Sequence, residues 1–319
     1  MATSGDITLT FTRDQIIQEA YELLQVVEPG VAASAAQVTS AARTLNNMIK
    51  AWQSKGLAVH SVQGSWLFPE ADQAEYQLDS SGGDRWATSY TETTAAAVAA
   101  SGAATITVAS DADISNTDII GIYQDDGTMH WTTVNGAPVA DVVTLTDVTT
   151  DEVSVGAIVY NYTVANEAER PMEIVEVWER NSDGNDRPLD LVDRNQYAEL
   201  TLKSNTGGVV SVFYDSQVGT DNRLYLWPIP DDSRMIIGTW VKRTFETFTA
   251  AGNEVDLPQE AFEAVAYGLA KRMITKSAVK QMTAQFITGM ATQMETDLFD
   301  DIAGPEASVL FQPDMDGYG

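Results

Sequence analysis

Residues 12–27 of this chain read TRDQIIQEAYELLQVV, and this stretch determines how the fold begins. Thr12 and Gln15 have the spacing of a capping box, which satisfies the free N–H groups of a first helical turn. Apolar residues then recur at intervals of three and four, which predicts an amphipathic helix. These residues are Ile16, Ile17, Ala20, Leu23, Leu24 and Val27.

A second helix is predicted after the Glu28-Pro29-Gly30 break. Ser34 and Gln37 form another capping box, and Lys55-Gly56 is a typical helix stop. The apolar stripe between them is Val38, Ala41, Ala42, Leu45, Met48, Ile49 and Trp52. A single hairpin buries too little apolar surface to be stable alone, so this stripe needs a partner elsewhere in the chain.

The partner is predicted at the other end of the chain. Asp256-Leu257-Pro258 places a proline where it suits a first helical turn. The apolar positions that follow are Phe262, Val265, Ala266, Leu269 and Met273, then Ile287, Met290, Ala291, Met294 and Leu298. We therefore predict an α+β fold: a helical bundle assembled from N- and C-terminal helical hairpins, with a large inserted all-β region that is a sandwich or barrel.

The region between the hairpins consists of short apolar segments separated by Gly, Asn, Asp and Pro, which is typical of strands and turns. Ile106-Thr-Val and Asp118-Ile-Ile are echoed about 38 residues later by Val143-Thr-Leu and Gly156-Ala-Ile, which predicts two copies of a small β unit. The predicted organisation is a helical hairpin at 1–60, a β-rich domain at 61–255 with an acidic β insert at 88–165, C-terminal helices at 256–300 and an extended arm at 301–319.

The charge is strongly acidic, with 18 basic and 46 acidic residues and a net charge of −28. From Trp86 to Glu169 there is no Lys or Arg. Tight binding to DNA or to an anionic membrane depends on cations, so both are disfavoured. An acidic surface also keeps many proteins soluble, and this simpler explanation stands beside a surface past which DNA slides. The chain has no cysteine, which excludes disulfides and thiolate chemistry.

No catalytic, cofactor-binding or metal-binding site is predicted. The two histidines, His60 and His130, have no nucleophile motif or zinc spacing in support. The Asp183–Asp186 segment lacks the ligand spacing of an EF-hand and is interpreted as a turn. Paired carboxylates leave glycoside or peptidoglycan hydrolysis open as an alternative. Trp66 and Trp86 leave a glycan-binding lobe open, whereas Trp52, Trp178 and Trp240 are interpreted as core residues.

Two groups of residues are candidates for binding partner proteins. The first is a cationic group in an acidic chain: Lys271, Arg272, Lys276 and Lys280. The last three can align along one helical face, although a break near Ser277 would disturb this alignment. These cations either compensate a helix dipole or contact an acidic partner or a neighbouring subunit. The second group lies in the predicted arm: Val309, Leu310, Phe311, Met315 and Tyr318. These apolar side chains either fold back on their own subunit or reach a neighbouring subunit or another protein.

The order of several short motifs resembles the tail accessory, or head-to-tail adaptor, proteins of short-tailed, podovirus-like bacteriophages. The motifs are Thr12-Arg-Asp-Gln-Ile-Ile, Leu45-Asn-Asn-Met-Ile-Lys-Ala-Trp52, Gly184-Asn-Asp-Arg-Pro-Leu189, Phe213-Tyr-Asp, Leu224-Tyr-Leu-Trp-Pro-Ile-Pro230 and Leu257-Pro-Gln-Glu. No motif is diagnostic alone, but together they cover most of the chain.

This resemblance implies a structural virion protein in the tail or neck, assembled in the host cytoplasm. It implies a homo-oligomeric ring, commonly of twelve subunits, that binds the portal protein and serves as a platform for distal tail, nozzle or fibre proteins. Packaged DNA passes through the ring without tight binding and leaves through it during genome ejection. Some members of the family are linked with cell-wall hydrolysis, so the enzymatic alternative remains open at this point.

Overall fold

The computed structural model describes residues 10–55, 62–79, 84–216, 222–254, 256–257 and 259–303. The fold is mixed α+β with a large β region, as the sequence predicts. The chain divides into two compact units, residues 1–60 with 245–319 and residues 61–244. No helix in the described ranges is long and apolar enough to cross a membrane. The α-helices are α1 (Arg13–Leu23), α2 (Ala35–Gln53), α3 (Arg194–Glu199), α4 (Phe262–Met273) and α5 (Gln281–Ala303).

Both predicted capping boxes at the N-terminal helices are present. Thr12 caps α1 and Ser34 caps α2, each reciprocally with the glutamine three positions later. α1 ends at Leu23 rather than at the predicted Val27, because Gln25 has a left-handed φ of 57°. The N–H of Val26 then donates to the carbonyl of Tyr21 and closes the last turn.

One hydrophobic core in the first unit combines residues from both ends of the chain. Ile17, Trp52 and Leu269 are all fully buried in it, and α4 contacts α1, α2 and α5. The Trp52 ring lies against Gly268, where an added Cβ would come within 2.8 Å of the ring. Phe245 and Phe248 also belong to this core, although the boundary predicted from the sequence placed residues up to 255 in the β-rich domain.

The second unit contains the strands. They are β1 (Val62–Leu67), β2 (Glu75–Gln77), β3 (Trp86–Ala87), β4 (Thr91–Thr94), β5 (Thr105–Thr107), β6 (Ile119–Tyr123), β7 (Met129–Thr133), β8 (Val142–Thr144), β9 (Ile158–Tyr162), β10 (Pro171–Arg180), β11 (Asp186–Pro188), β12 (Asp190–Val192), β13 (Ser211–Asp215), β14 (Arg223–Trp227) and β15 (Ile236–Arg243). Sheet A has the order β11-β10-β15-β1-β3, and sheet B has the order β12-β13-β14-β2. Sheet C has the order β4-β9-β6-β7, and β5 pairs with β8 in sheet D.

Sheets A and B bury a shared core between them. Ile237 and Val241 on β15 contribute from sheet A, and Val212 and Leu224 contribute from sheet B. Because successive side chains of a strand point to opposite faces, Trp240 faces away from this core and is 44% exposed. The interpretation of Trp240 as a core residue is therefore wrong, whereas Trp52 is buried as predicted.

The predicted duplication is visible in strands β4 to β9. The unit β4-β5-β6 corresponds to β7-β8-β9, and corresponding strands pair with each other: β5 with β8 and β6 with β9. Ile106 lies opposite Val143, and these are corresponding positions in the two copies of the repeated sequence. The hydrogen bond from Val108 N–H to the Asp141 carbonyl is matched by one from Leu145 N–H to the Ala104 carbonyl. Such reciprocal pairing is what a local two-fold axis produces.

An aromatic cluster joins this duplicated part to sheet A. Phe68, directly after β1, stacks on Tyr162 of β9 with ring centroids 5.8 Å apart. The Tyr160 hydroxyl donates to the Arg234 carbonyl at 3.1 Å. Burial raises the pKa of Tyr162 to about 12, and the nearby Arg85 opposes part of this shift. The duplicated part is therefore packed against sheet A through buried rings.

Candidate interaction surfaces

The predicted cationic group does not form one continuous helical face. Lys271 and Arg272 lie in the last turn of α4, and Lys276 ends the following 3-10 turn. Ser277 is extended, with φ −131° and ψ 150°, so the helix is interrupted before Lys280. The break near Ser277 that the sequence left open is therefore present, and residues 272, 276 and 280 do not align along one helix, because a new helix begins at Gln281.

Two members of the cationic group already have partners within their own unit. The Lys271 Nζ lies 3.2 Å from the Glu295 Oε2 and also donates to Thr292. The Lys276 Nζ donates to the Thr44 Oγ1 at 2.6 Å, although Lys276 remains exposed. Lys280 is exposed beside the start of α5. Burial lowers the pKa of Arg272, and the Glu295 carboxylate opposes this shift.

The first three turns of α5 have an uncovered apolar face. Met282 is 83% exposed and Phe286 is 60% exposed. Gly289 continues this face, and a Cβ added there would meet nothing within 4 Å. Gln293, one further turn along, is also exposed. The opposite face carries Ile287 and Ala291, which are buried in the core, so α5 has one face packed and another uncovered.

A groove lies between α1 and α4 in the same unit. Its volume is about 510 Å³, and its apolar lining includes Phe11, Leu23, Phe262 and Tyr267. Phe11 and Phe262 meet edge to face with ring centroids 5.3 Å apart, which forms one wall. The acidic lining residues are Glu19, Glu260 and Glu263, all of which are exposed. The groove therefore combines an apolar floor with a negatively charged rim.

A second groove, of about 660 Å³, lies on sheet A beside the exposed Trp240. Trp178, which also lines it, packs over Gly238, and its Nε1 is buried without a hydrogen-bond partner. Trp66 continues this row of rings, 5.7 Å from Trp178, and the Arg180 guanidinium stacks over it at 4.6 Å. Arg180 also binds Asp186 at 2.7 Å, and this hydrogen bond lowers the pKa of the Asp186 carboxyl.

The remaining candidates from the sequence have simple environments where the structure describes them. The His130 Nε2 lies 3.3 Å from the Asp147 carbonyl oxygen. The 183–186 segment is a turn, in which the Asn181 side chain accepts hydrogen bonds from two backbone N–H groups. Across the described ranges, no group of three His, Cys, Asp or Glu side chains could hold a metal ion. His60 and the five apolar arm residues, Val309, Leu310, Phe311, Met315 and Tyr318, lie outside the described residues.

Residues 12–308 match the family model described as SU10 adaptor protein. The match covers the helices at both ends and the entire β region between them. No curated protein matches the chain.

Proposed function

Because the chain belongs to the SU10 adaptor protein family and is thus a structural component of a phage particle, we propose that it forms the head-to-tail adaptor ring. In this proposal a homo-oligomeric ring, of twelve subunits as in the proteins that the chain resembles, lies beneath the portal protein. It surrounds the channel through which DNA is packaged and ejected. Its other side carries the distal tail, nozzle or fibre proteins.

The uncovered face of α5 is the observation that carries this proposal. Met282 and Phe286 are large apolar side chains that water surrounds in the isolated chain. Contiguous exposed apolar residues of this kind mark surfaces that other proteins cover. A helical base that is stabilised by its own core and still presents an apolar helix face is suited to assembly.

The acidic charge supports the proposed DNA channel. DNA carries a dense negative charge, and proteins hold it by replacing its counterions with Lys and Arg. With a net charge of −28, the ring surface repels the phosphates, so DNA passes without being retained. The stretch without Lys or Arg from Trp86 to Glu169 supplies part of this repulsion.

The predicted arm is the proposed attachment to the portal; because α5 continues to Ala303, the arm begins after that residue rather than at 301. Its apolar residues would bind in grooves of the portal or of a neighbouring subunit, as extended segments bind in other complexes. The cations Lys276 and Lys280 would assist by contacting an acidic partner. The domain organisation in this proposal is a helical base, a β lobe with its duplicated insert, and this arm.

Reconstitution with the portal protein of the same phage tests the proposal. Electron microscopy of the mixture should show a closed ring on the portal. Truncation after Ala303 should leave the melting temperature of the free chain unchanged while attachment to the portal is lost. A full-length chain that never binds the portal, or a truncated chain that binds as well as the full one, would contradict the proposal.

A further inference from the structure

We propose that adjacent copies of this chain contact each other by placing the uncovered face of α5 from one copy in the groove between α1 and α4 of the next. This inference rests on the proposed ring and specifies which two surfaces make it. The two surfaces differ, so the contact is heterologous and can repeat from copy to copy until the ring closes.

The spacing of residues on the α5 face is the spacing of a helix that packs on other helices. Met282, Phe286, Gly289 and Gln293 follow one another at intervals of four, three and four. This is the a/d pattern by which helices interlock along a seam. Met282 and Phe286 are exposed apolar residues on this face, and Ile287 and Ala291 are buried on the opposite one, so α5 has two packing faces, of which the described residues cover one.

Gly289 points to close approach by another chain. A glycine inside a helix is unfavourable unless something needs the space that a side chain would occupy. In α4, Trp52 occupies the space next to Gly268. In α5, nothing lies within 4 Å of a Cβ built on Gly289. The space at Gly289 is therefore available to a helix that comes from outside the chain.

The charges on the two surfaces are complementary. Lys280 stands immediately before α5, and the first turn of α5 contains no acidic residue. A cation at a helix N-terminus opposes the helix dipole, so it does not stabilise its own helix. Glu19, Glu260 and Glu263 line the α1–α4 groove. A helix seated in that groove would place Lys280 close to these carboxylates.

The choice of a second copy as the occupant follows from the overall charge. Copies with 46 acidic and only 18 basic residues repel one another at most orientations. Self-contact is favoured only where a cationic part of one copy meets an acidic part of the next. The dimensions also agree, because the 11 residues of α1 and the stretch from Met282 to Gln293 each span roughly 17 Å of helix.

Cross-linking of the full chain tests the contact directly, since the natural chain has no cysteine. Gln259→Cys lies on the groove and Gln285→Cys lies beside the α5 face. α4 and α5 are antiparallel, because Lys271 contacts Glu295 while the Trp52 ring, which lies against the earlier Gly268, contacts the later Phe299. Positions 259 and 285 therefore lie in opposite directions from the Lys271–Glu295 contact, roughly 25 Å apart or more within one copy. A short bismaleimide should therefore link different copies. A mixture of the two single variants should give cross-linked dimers, and the double variant should give a ladder of cross-linked oligomers on a denaturing gel. Replacing Gln259→Cys by Asn47→Cys, on the exposed side of α2, should abolish the ladder.

Charge reversal supplies the matched control. Lys280→Glu alone and Glu263→Lys alone should each lower the ladder yield at least tenfold. The two reversals together should restore it, because the pair is then opposite again. A ladder that is insensitive to the single reversals, or that the double reversal does not restore, would overturn the assignment of these surfaces.

Gly289→Ala separates an interface role from a structural one. The alanine should raise the melting temperature of the free chain, because its Cβ has space and favours the helix. The same change should lower the ladder yield, because the Cβ occupies the space of the neighbouring helix. An unchanged yield would show that this face of α5 is not the contact.

Failure of this inference can be distinguished from failure of the proposed function. A closed ring on the portal whose copies do not cross-link through Gln259→Cys and Gln285→Cys would reject the surfaces and leave the adaptor ring intact. A ladder from a chain that never binds a portal would support the surfaces and reject the adaptor role. Absence of the ladder both in the free chain and in portal-bound rings would overturn the inference.

Discussion

At the scale of single residues, Tyr162 shows how burial of one aromatic ring with a polar hydroxyl stabilises the second unit. Its ring stacks on Phe68 and lies 6.1 Å from the Trp131 ring. The side chain is only 2% exposed, so the charged phenolate is disfavoured and the pKa is raised to about 12. The neutral form therefore contributes stability to the folded state.

We expect this contribution to disappear at alkaline pH. The pKa of Tyr162 is higher in the folded chain than the value of about 10 in the unfolded chain. The contribution of Tyr162 to the free energy of unfolding is therefore complete below pH 10 and is lost as the pH rises towards 12. The loss should be on the order of 2 kcal/mol, and Tyr162→Phe should remove this pH-dependent share. Urea unfolding of both proteins at about pH 9 and about pH 11.5 measures the difference. Equal losses in the two proteins would contradict the assignment.

At the scale of elements, α4 and α5 use glycine in opposite ways. Gly268 in α4 lies against the Trp52 ring and the Met48 sulfur, which an added Cβ would approach to 2.8 Å and 3.0 Å. Gly289 in α5 has open space around it. The same residue type therefore permits tight packing within the core in one helix and leaves a surface uncovered in the other.

Alanine at these two positions should change stability in opposite directions. Gly268→Ala should lower the free energy of unfolding by about 1–3 kcal/mol, because the core would be overpacked. Gly289→Ala should raise it by up to about 1 kcal/mol through helix propensity. Denaturant titration of the free chain measures both changes. A neutral Gly268→Ala variant would show that Trp52 and Met48 move aside at little cost.

The parts of these elements that could be predicted are those with local signals. Thr12 and Ser34 indicate where α1 and α2 begin, because a capping box involves only residues within one helical turn. The interruption at Ser277 has a weaker signal, the polar Thr275-Lys-Ser-Ala stretch, which indicates a break without fixing where the next helix begins. The end of α1 depends on the left-handed Gln25, a residue type for which that conformation is uncommon.

The two surfaces differ in how far sequence could reveal them. The α1–α4 groove could not be predicted, since Phe11 and Phe262 meet only after the chain ends come together. The α5 face could be predicted from the sequence. Met282, Phe286, Gly289 and Gln293 recur at helical spacing and fall on a different face from Ile287 and Ala291. The duplication in β4 to β9 was recognisable because both copies retain an apolar pattern at a fixed interval.

At the scale of the whole molecule, charge governs what the chain can bind. We expect the free protein to show no measurable affinity for double-stranded DNA at about 150 mM salt, because too few cations are available to replace counterions. Fluorescence anisotropy with a labelled duplex measures this, and a basic DNA-binding protein serves as the positive control. Tight binding at that salt would rule out a surface past which DNA slides.

The first unit should fold without the second. Residues 1–60 joined to 245–303 by a short Gly/Ser linker should give a soluble helical protein that unfolds cooperatively, because Trp52, Leu269 and Ile287 share one core. Residues 1–60 alone should not, since their stripe would remain exposed. Circular dichroism during thermal unfolding compares the two. A stable, monomeric 1–60 fragment would show that the N-terminal helices do not need the C-terminal ones.

The shared core of the two chain ends has a consequence for synthesis. Chains emerge from the ribosome N-terminus first, so α1 and α2 appear long before α4 and α5, which complete their core. The second unit can fold meanwhile, whereas the first unit must wait until α4 and α5 have been made. The α1–α4 groove therefore forms only after α4 has been made, and a product terminated before α4 lacks this docking surface for joining an assembly.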